Sequence, residues 1–136
     1  MAPIGTFLTG ILLGGMLFVT VLVAPIIFIV LEDPEATRFT RTLWPRYFLI
    51  NATVSLVAGA MLVFSSQNGL IAVPLLLCTV LMGINWECAR RMRSMRDPGD
   101  TEEKSSYEWL HSITVWNNTL CLLLVGAADL YLTLIV

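Results

Sequence analysis

The sequence predicts an all-α fold, a four-helix transmembrane bundle, and three observations predict it. The 136 residues are 57% hydrophobic and 13% charged, with a mean hydropathy of +0.79. That is roughly half the charged content of a soluble domain. Four apolar stretches run from about Ile4 to Leu31, Tyr47 to Phe64, Leu70 to Cys88 and Ile113 to Val136. Each is near or above the ~20 residues that span a bilayer core. Finally, all eight lysines and arginines fall in two places: Arg38, Arg41 and Arg46 follow the first stretch, and Arg90, Arg91, Arg93, Arg96 and Lys104 follow the third. The positive-inside rule makes these two connections cytoplasmic and puts both termini outside. The length allows one domain, residues 1–136.

The first helix is expected at about 5–31. Its "GILLGGMLFVTVLVAPIIFIVL" has none of the polar face that a water-soluble helix carries. It lacks the positive start of a signal peptide, and its apolar run is about twice the usual length, so it reads as a permanent helix. Gly10 and Gly14 form a GxxxG pair followed by Gly15. That spacing predicts a close helix contact, within the bundle or between chains. Pro25 frees a backbone carbonyl further along.

Helices two and three, at about 44–65 and 70–94, form a hairpin around "SSQNG". No charged residue lies between Tyr47 and Trp86. Ser55 and Gly59 make a second small-xxx-small pair, suited to internal packing. The fourth helix, at about 105–134, starts with Ser105 or Ser106 as cap and Glu108 in its first turn. Trp44, Trp86, Trp109 and Trp116 gather near the cytoplasmic boundary as an aromatic belt. Cys78, Cys88 and Cys121 form no CxxC motif and read as packing residues. With no phosphate loop and no extended basic face, nucleic acid is not an expected partner. The expected partners are the lipid bilayer and further copies of the chain or a larger membrane complex.

The segment "YEWLHSITVWNN" (107–118) brings strongly polar groups into the last helix. His111, Thr114 and Asn118 are spaced i, i+3, i+7 and share one face. Asn51 near the start of helix two, Asn85 and Glu87 near the end of helix three, and Asn117 fall at a similar depth. Unpaired polar groups in hydrocarbon are costly, so these are expected to converge, with Tyr47 nearby. The sequence leaves two readings of such a layer: a hydrogen-bonded lock that fixes helix register, or a ligand site. "EWLH" places Glu108 and His111 as in di-iron bundles, which need two such motifs, and the chain has one histidine. A single metal on His111, Glu108 and Glu87 stays open, as does a haem with His111 as one axial ligand. Asp129 is an intramembrane acid in the outer half of the last helix. Either it reaches the interface, where Gln67 and Asn68 are candidate partners, or it is functional.

"APIIF", "LWPRYFLIN" and "WLHSITVWNN" resemble a bacterial tetraspan family grouped with transmembrane protein 205. The resemblance rests on Ala24, Pro25 and Phe28; on Leu43, Trp44, Pro45, Tyr47 and Phe48; and on Leu110, His111, Thr114 and Asn118. Trp44 stands where the family pattern has Phe, and Thr114 where it has Ser. The resemblance implies the fold and the shared polar layer, and no activity. A more distant similarity to copper-resistance-D-like and haem-binding membrane proteins implies a redox role, although one histidine excludes bis-histidine ligation within one chain. Three functions follow for comparison: a non-enzymatic accessory subunit or homo-oligomer; a membrane-embedded binding protein or oxidoreductase for a lipophilic ligand or haem; and a small transporter.

Overall fold

The computed structural model describes residues 2–65, 69–95 and 101–135. All regular structure among them is helical: α1 (Ala2–Leu17), a π-helical segment (Phe18–Val23), α2 (Ala24–Val30), α3 (Asp33–Val63), a 3-10 turn (Gly69–Ile71), α4 (Ala72–Ser94) and α5 (Thr101–Ile135). Four stretches are long and apolar enough to cross a membrane: Pro3–Val30, Asp33–Val63, Gly69–Ser94 and Lys104–Leu134.

The connection between the first two spans differs from the expected arginine-bearing loop. α3 begins at Asp33 rather than near residue 44, so Arg38, Arg41 and Arg46 lie on a helix. The local chemistry explains the early start. Glu32 is extended (φ −71°, ψ 161°), and Pro34 sits in the first turn, where a missing N–H costs nothing. Asp33 and Glu35 oppose the positive end of the helix dipole. At 1.5 Å per residue, a helix of 31 residues is about 46 Å long, well beyond the ~30 Å hydrocarbon core. α5, with 35 residues, is longer still. In an up-and-down bundle both therefore project past the bilayer core at the end where the arginines gather.

The first span is interrupted. The Ala24 N–H donates to the Val19 carbonyl, a five-residue step that defines the π-turn. Pro25 follows at once and has no N–H to offer Val21. Such π-turns recur at functional sites. Here the turn separates two differently packed halves. α1 packs on α3 and α5, and α4 packs on α3 and α5 from the other side, which closes a ring of four helices. Past the π-turn, α2 rests on α3 and does not pack along α5. The bundle is tight at one end and parted at the other.

The tight part is filled by Leu12, Met16, Leu62, Leu75, Met82 and Val125, all buried. Phe7, Phe28, Ile29, Phe64 and Leu134 stand exposed on the outside, an apolar exterior suited to lipid and not to water. Ser55 and Gly59 are buried between α3 and α4. The Ser55 and Thr79 hydroxyls are 2.9 Å apart, and a Cβ on Gly59 would come within 3.1 Å of Leu76 Cδ2. Gly10 and Gly14 behave otherwise. A Cβ on Gly10 would meet only Asp129 Oδ1, at 3.6 Å, and one on Gly14 would meet nothing within 4 Å. Among the described residues GxxxG thus makes no close backbone contact within the chain: Gly10 borders Asp129, and Gly14 is exposed with nothing against it. Gly59→Leu is therefore expected to cost about 1–3 kcal/mol by overpacking, and Gly14→Leu in the monomer to cost almost nothing. Thermal unfolding of the two variants in mild detergent checks the contrast.

Cys78 and Cys121 face each other across α4 and α5. The Cys78 thiol points to the Cys121 carbonyl at 3.6 Å, and the Cys121 thiol to the Cys78 carbonyl at 3.9 Å. All three cysteines are free and buried. They are expected to resist a maleimide reagent in the folded protein and to react fully after denaturation, which mass spectrometry of the labelled chain measures.

Candidate functional site

The polar groups do come together, but as two networks. Asn117 and Asn118 are consecutive, so their side chains leave α5 about 100° apart and serve different neighbours. Asn117 Nδ2 donates to Asn85 Oδ1 at 3.1 Å, and Asn85 Nδ2 donates to the Thr114 carbonyl at 3.2 Å. Asn85 is fully buried and ties α4 to α5. Thr114 turns its own hydroxyl back to the His111 carbonyl at 2.8 Å.

The second network crosses the bundle. Tyr47 on α3 donates its phenol to Asn118 Oδ1 at 3.0 Å. Asn118 Nδ2 donates to the Thr20 hydroxyl at 3.3 Å, and Thr20 lies on the π-turn. α3 and α5 stand on a diagonal of the ring, so the tyrosine spans a gap the backbones do not close. An asparagine amide has two N–H groups; among the described residues Asn118 commits one of them to a side chain.

Three expected members lie elsewhere. Asn51 is buried but donates to the Tyr47 carbonyl of its own helix at 2.9 Å, not to α5. Glu87 turns outward to Arg91 at 3.1 Å and Arg90 at 3.5 Å, with nearly half its side chain exposed. Two arginines one turn away on its own helix draw it to the surface and out of the layer. His111 does not reach Asn51 or Asn85. Its ring stacks parallel on Tyr107, with centroids 6.4 Å apart. The stripe that carries it is the one that carries Asn118, but at His111 the first span has already parted from α5. The same face that is inward at Asn118 therefore opens on a groove at His111. Glu108 is exposed. Among the described residues no three His, Cys, Asp or Glu side chains lie close enough to hold a metal ion, so His111, Glu108 and Glu87 do not form the metal site considered above. Asp129 is half-buried at the other end of the bundle beside Gly10; its candidate partners Gln67 and Asn68 lie outside the described residues.

The groove has a volume of ≈ 390 Å³. Phe28, Trp44, Phe48 and Met92 give it apolar walls, Thr20 and Asn118 give it a polar end, and His111 lines it about two helical turns away from Asn118. Pro45 is buried in its wall and cannot donate to the Arg41 carbonyl one turn back. Trp44 stacks on Phe48, centroids 5.9 Å apart, and meets Tyr47 edge-on at 5.6 Å. So Trp44 belongs to the wall, whereas Trp109 and Trp116 face outward. Trp86 lies under the Arg90 guanidinium at 4.9 Å. The sequence reading missed Thr20, Arg41 and Arg93 as lining residues. Pro25 held the signal for Thr20, because a helical proline demands an irregular turn just before it. For the arginines no signal existed: Arg41 is expected in a loop and Arg93 at the last turn of helix three, and neither placement points to a cavity.

The transporter reading needs a wet path from His111 to Asp129. Met16, Leu12, Cys121 and Val125, all buried, fill the interior between them.

Residues 7–96 match the model of a family described as a domain of unknown function, DUF4149, which is more than half of the 136 residues. The chain belongs to the DUF4149 family. The match covers the first three spans, including Thr20, Trp44, Tyr47 and Asn85, and stops before α5. No curated protein and no solved structure matches the chain.

Proposed function

We propose that this chain is a multi-pass protein of the bacterial cytoplasmic membrane that binds a lipophilic ligand in the groove beside Asn118 and His111. One observation supports it most: a membrane-level cavity with apolar walls is also lined by an asparagine amide and an imidazole. Ligand pockets have this make-up, apolar lining with a few convergent polar groups. The arginines at the groove end support a cytoplasmic placement of that end, with both termini outside. The likeness of its motifs to the transmembrane-protein-205 group is part of the same reading. Extraction into polymer nanodiscs followed by mass spectrometry of retained small molecules tests it. Ala24→Trp should fill the groove and abolish retention at unchanged thermal stability. A wild-type protein that retains nothing, or a variant that retains as much, would remove the proposal. A Soret band in the visible spectrum would identify the ligand as haem on His111, in an oxidoreductase.

A second reading, an accessory subunit or homo-oligomer, draws on the outward-turned Gly10, Gly14 and Gly15. Small residues let helix backbones approach closely in a bilayer, and among the described residues a Cβ on Gly14 or Gly15 would meet nothing within 4 Å. Gly14→Leu should convert an oligomer to monomer in mild detergent; a wild-type protein that is already monomeric would end that reading.

A further inference from the structure

The groove does not end at its apolar walls. A second cavity of ≈ 640 Å³ opens beside it at the projecting ends of α3 and α4, lined by Asp33, Thr37, Arg38, Arg41 and Arg93 among others. Thr37, Arg41 and Arg93 line both cavities, so the two adjoin across these side chains, and the chemistry differs from one to the other. Asp33 and the guanidinium-bearing side chains of Arg38, Arg41 and Arg93 line the outer end. Deeper in, the walls become Phe28, Trp44, Phe48 and Met92.

The arginines of this chain are not alike. Arg90 and Arg91 are both paired with Glu87. Arg38 and Arg93 have no ion-pair partner among the described residues. Among the described residues their positive charge is therefore unpaired, at the end of α3 that projects past the apolar groove. Arginine presents a planar fork of donors that matches phosphate oxygens in pairs.

We propose that the composite cavity holds one anionic phospholipid, its phosphate-bearing headgroup against Arg38 and Arg93 and one acyl chain in the groove below. This rests on the ligand-binding reading above and gives that ligand a chemical class. Charge complementarity selects the headgroup, because a zwitterionic lipid brings its own cation to a site already rich in cations.

Native mass spectrometry of the purified full chain, titrated in parallel with phosphatidylglycerol and phosphatidylethanolamine of identical acyl chains, tests it. The expected preference for phosphatidylglycerol is at least about fivefold, the effect of one arginine near an anionic surface. The double variant R38Q/R93Q, both exposed positions, should lose that preference, with phosphatidylglycerol binding falling to the level of phosphatidylethanolamine. Ala24→Trp should lose both lipids. Equal binding of the two lipids by the wild type would overturn the headgroup assignment and leave the groove reading standing if Ala24→Trp still abolishes binding. Failure of either lipid to bind would overturn both. Inorganic phosphate alone is the third arm: if it binds in an R38Q/R93Q-sensitive way and does not compete with phosphatidylglycerol, the arginines hold a free anion and the lipid assignment fails.

Discussion

Replacing Asn85 by leucine is expected to destabilise the folded chain by about 1–3 kcal/mol, more than any other single change in the polar layer. Leucine has the same number and branching of side-chain heavy atoms as asparagine but no polar group, so the main loss is one of hydrogen bonding. Asn85 is fully buried, and it accepts from Asn117 and donates to the Thr114 carbonyl. Without it the Asn117 amide faces an apolar side chain at a depth where water does not replace the lost partner. Interhelical hydrogen bonds in membranes average only about 0.6 kcal/mol; the larger figure arises because one residue holds two of them and leaves a donor stranded. Asn51→Leu is the control. Its amide donates to the Tyr47 carbonyl of its own helix and makes no bond to another helix among the described residues, and the expected cost is below about 1 kcal/mol. Reversible unfolding of both variants in detergent measures the difference. Equal losses would mean that α5 is not held to α4 through Asn85. The double variant Asn85→Leu/Asn117→Leu should recover part of the loss, since both partners of one bond are then gone.

The spans were legible because hydrocarbon admits few alternatives. Twenty apolar residues without a polar face have one stable conformation in a bilayer, and Tyr47 to Trp86 without a charge forces a hairpin around the one polar break. The polar layer was legible for the same reason: Asn85, Asn117 and Asn118 had to find partners at a common depth. Which partner each found was not legible. That depends on the rotation of each helix about its axis, which packing of all four sets together. Consecutive asparagines on α5 therefore divided between two networks, and Asn51 satisfied itself locally. Glu87 was misplaced because depth along the chain was taken as burial, whereas Arg90 and Arg91 one turn away hold it at the surface.

The groove itself was the least legible feature. It exists because the first span changes direction at the π-turn and because α3 runs on past the bilayer core. The first of these is a tertiary consequence of Pro25. The second follows from Pro34, Asp33 and Glu35, which start a helix where charge alone suggested a loop. The GxxxG pair shows the converse limit: spacing revealed a surface fit for close packing, and the structure leaves Gly14 with nothing against it.

Asn118→Leu is expected to leave the bundle folded, at a cost of about 1–2 kcal/mol, and to reduce ligand retention at least about tenfold, the equivalent of 1.4 kcal/mol of binding. The asparagine makes two inter-helix contacts, accepting from Tyr47 and donating to Thr20, and it also lines the polar end of the groove. Leucine removes all three functions. Tyr47→Phe separates them, because it deletes the phenol's bond and leaves the Asn118 amide in place. Its stability loss should approach that of a single membrane hydrogen bond, about 0.6 kcal/mol, with retention reduced far less than in Asn118→Leu. Thr20→Val removes the other bond and should behave like Tyr47→Phe. Retained ligand per mole of protein and unfolding temperature, measured on the same preparations, give both quantities at once. If Asn118→Leu lowers stability and leaves retention unchanged, the Tyr47–Asn118–Thr20 contact is an inter-helix lock with no part in binding. If retention falls equally in Tyr47→Phe, the position of the amide rather than its presence governs the site, and the tyrosine acts by holding Asn118 in the geometry the ligand requires.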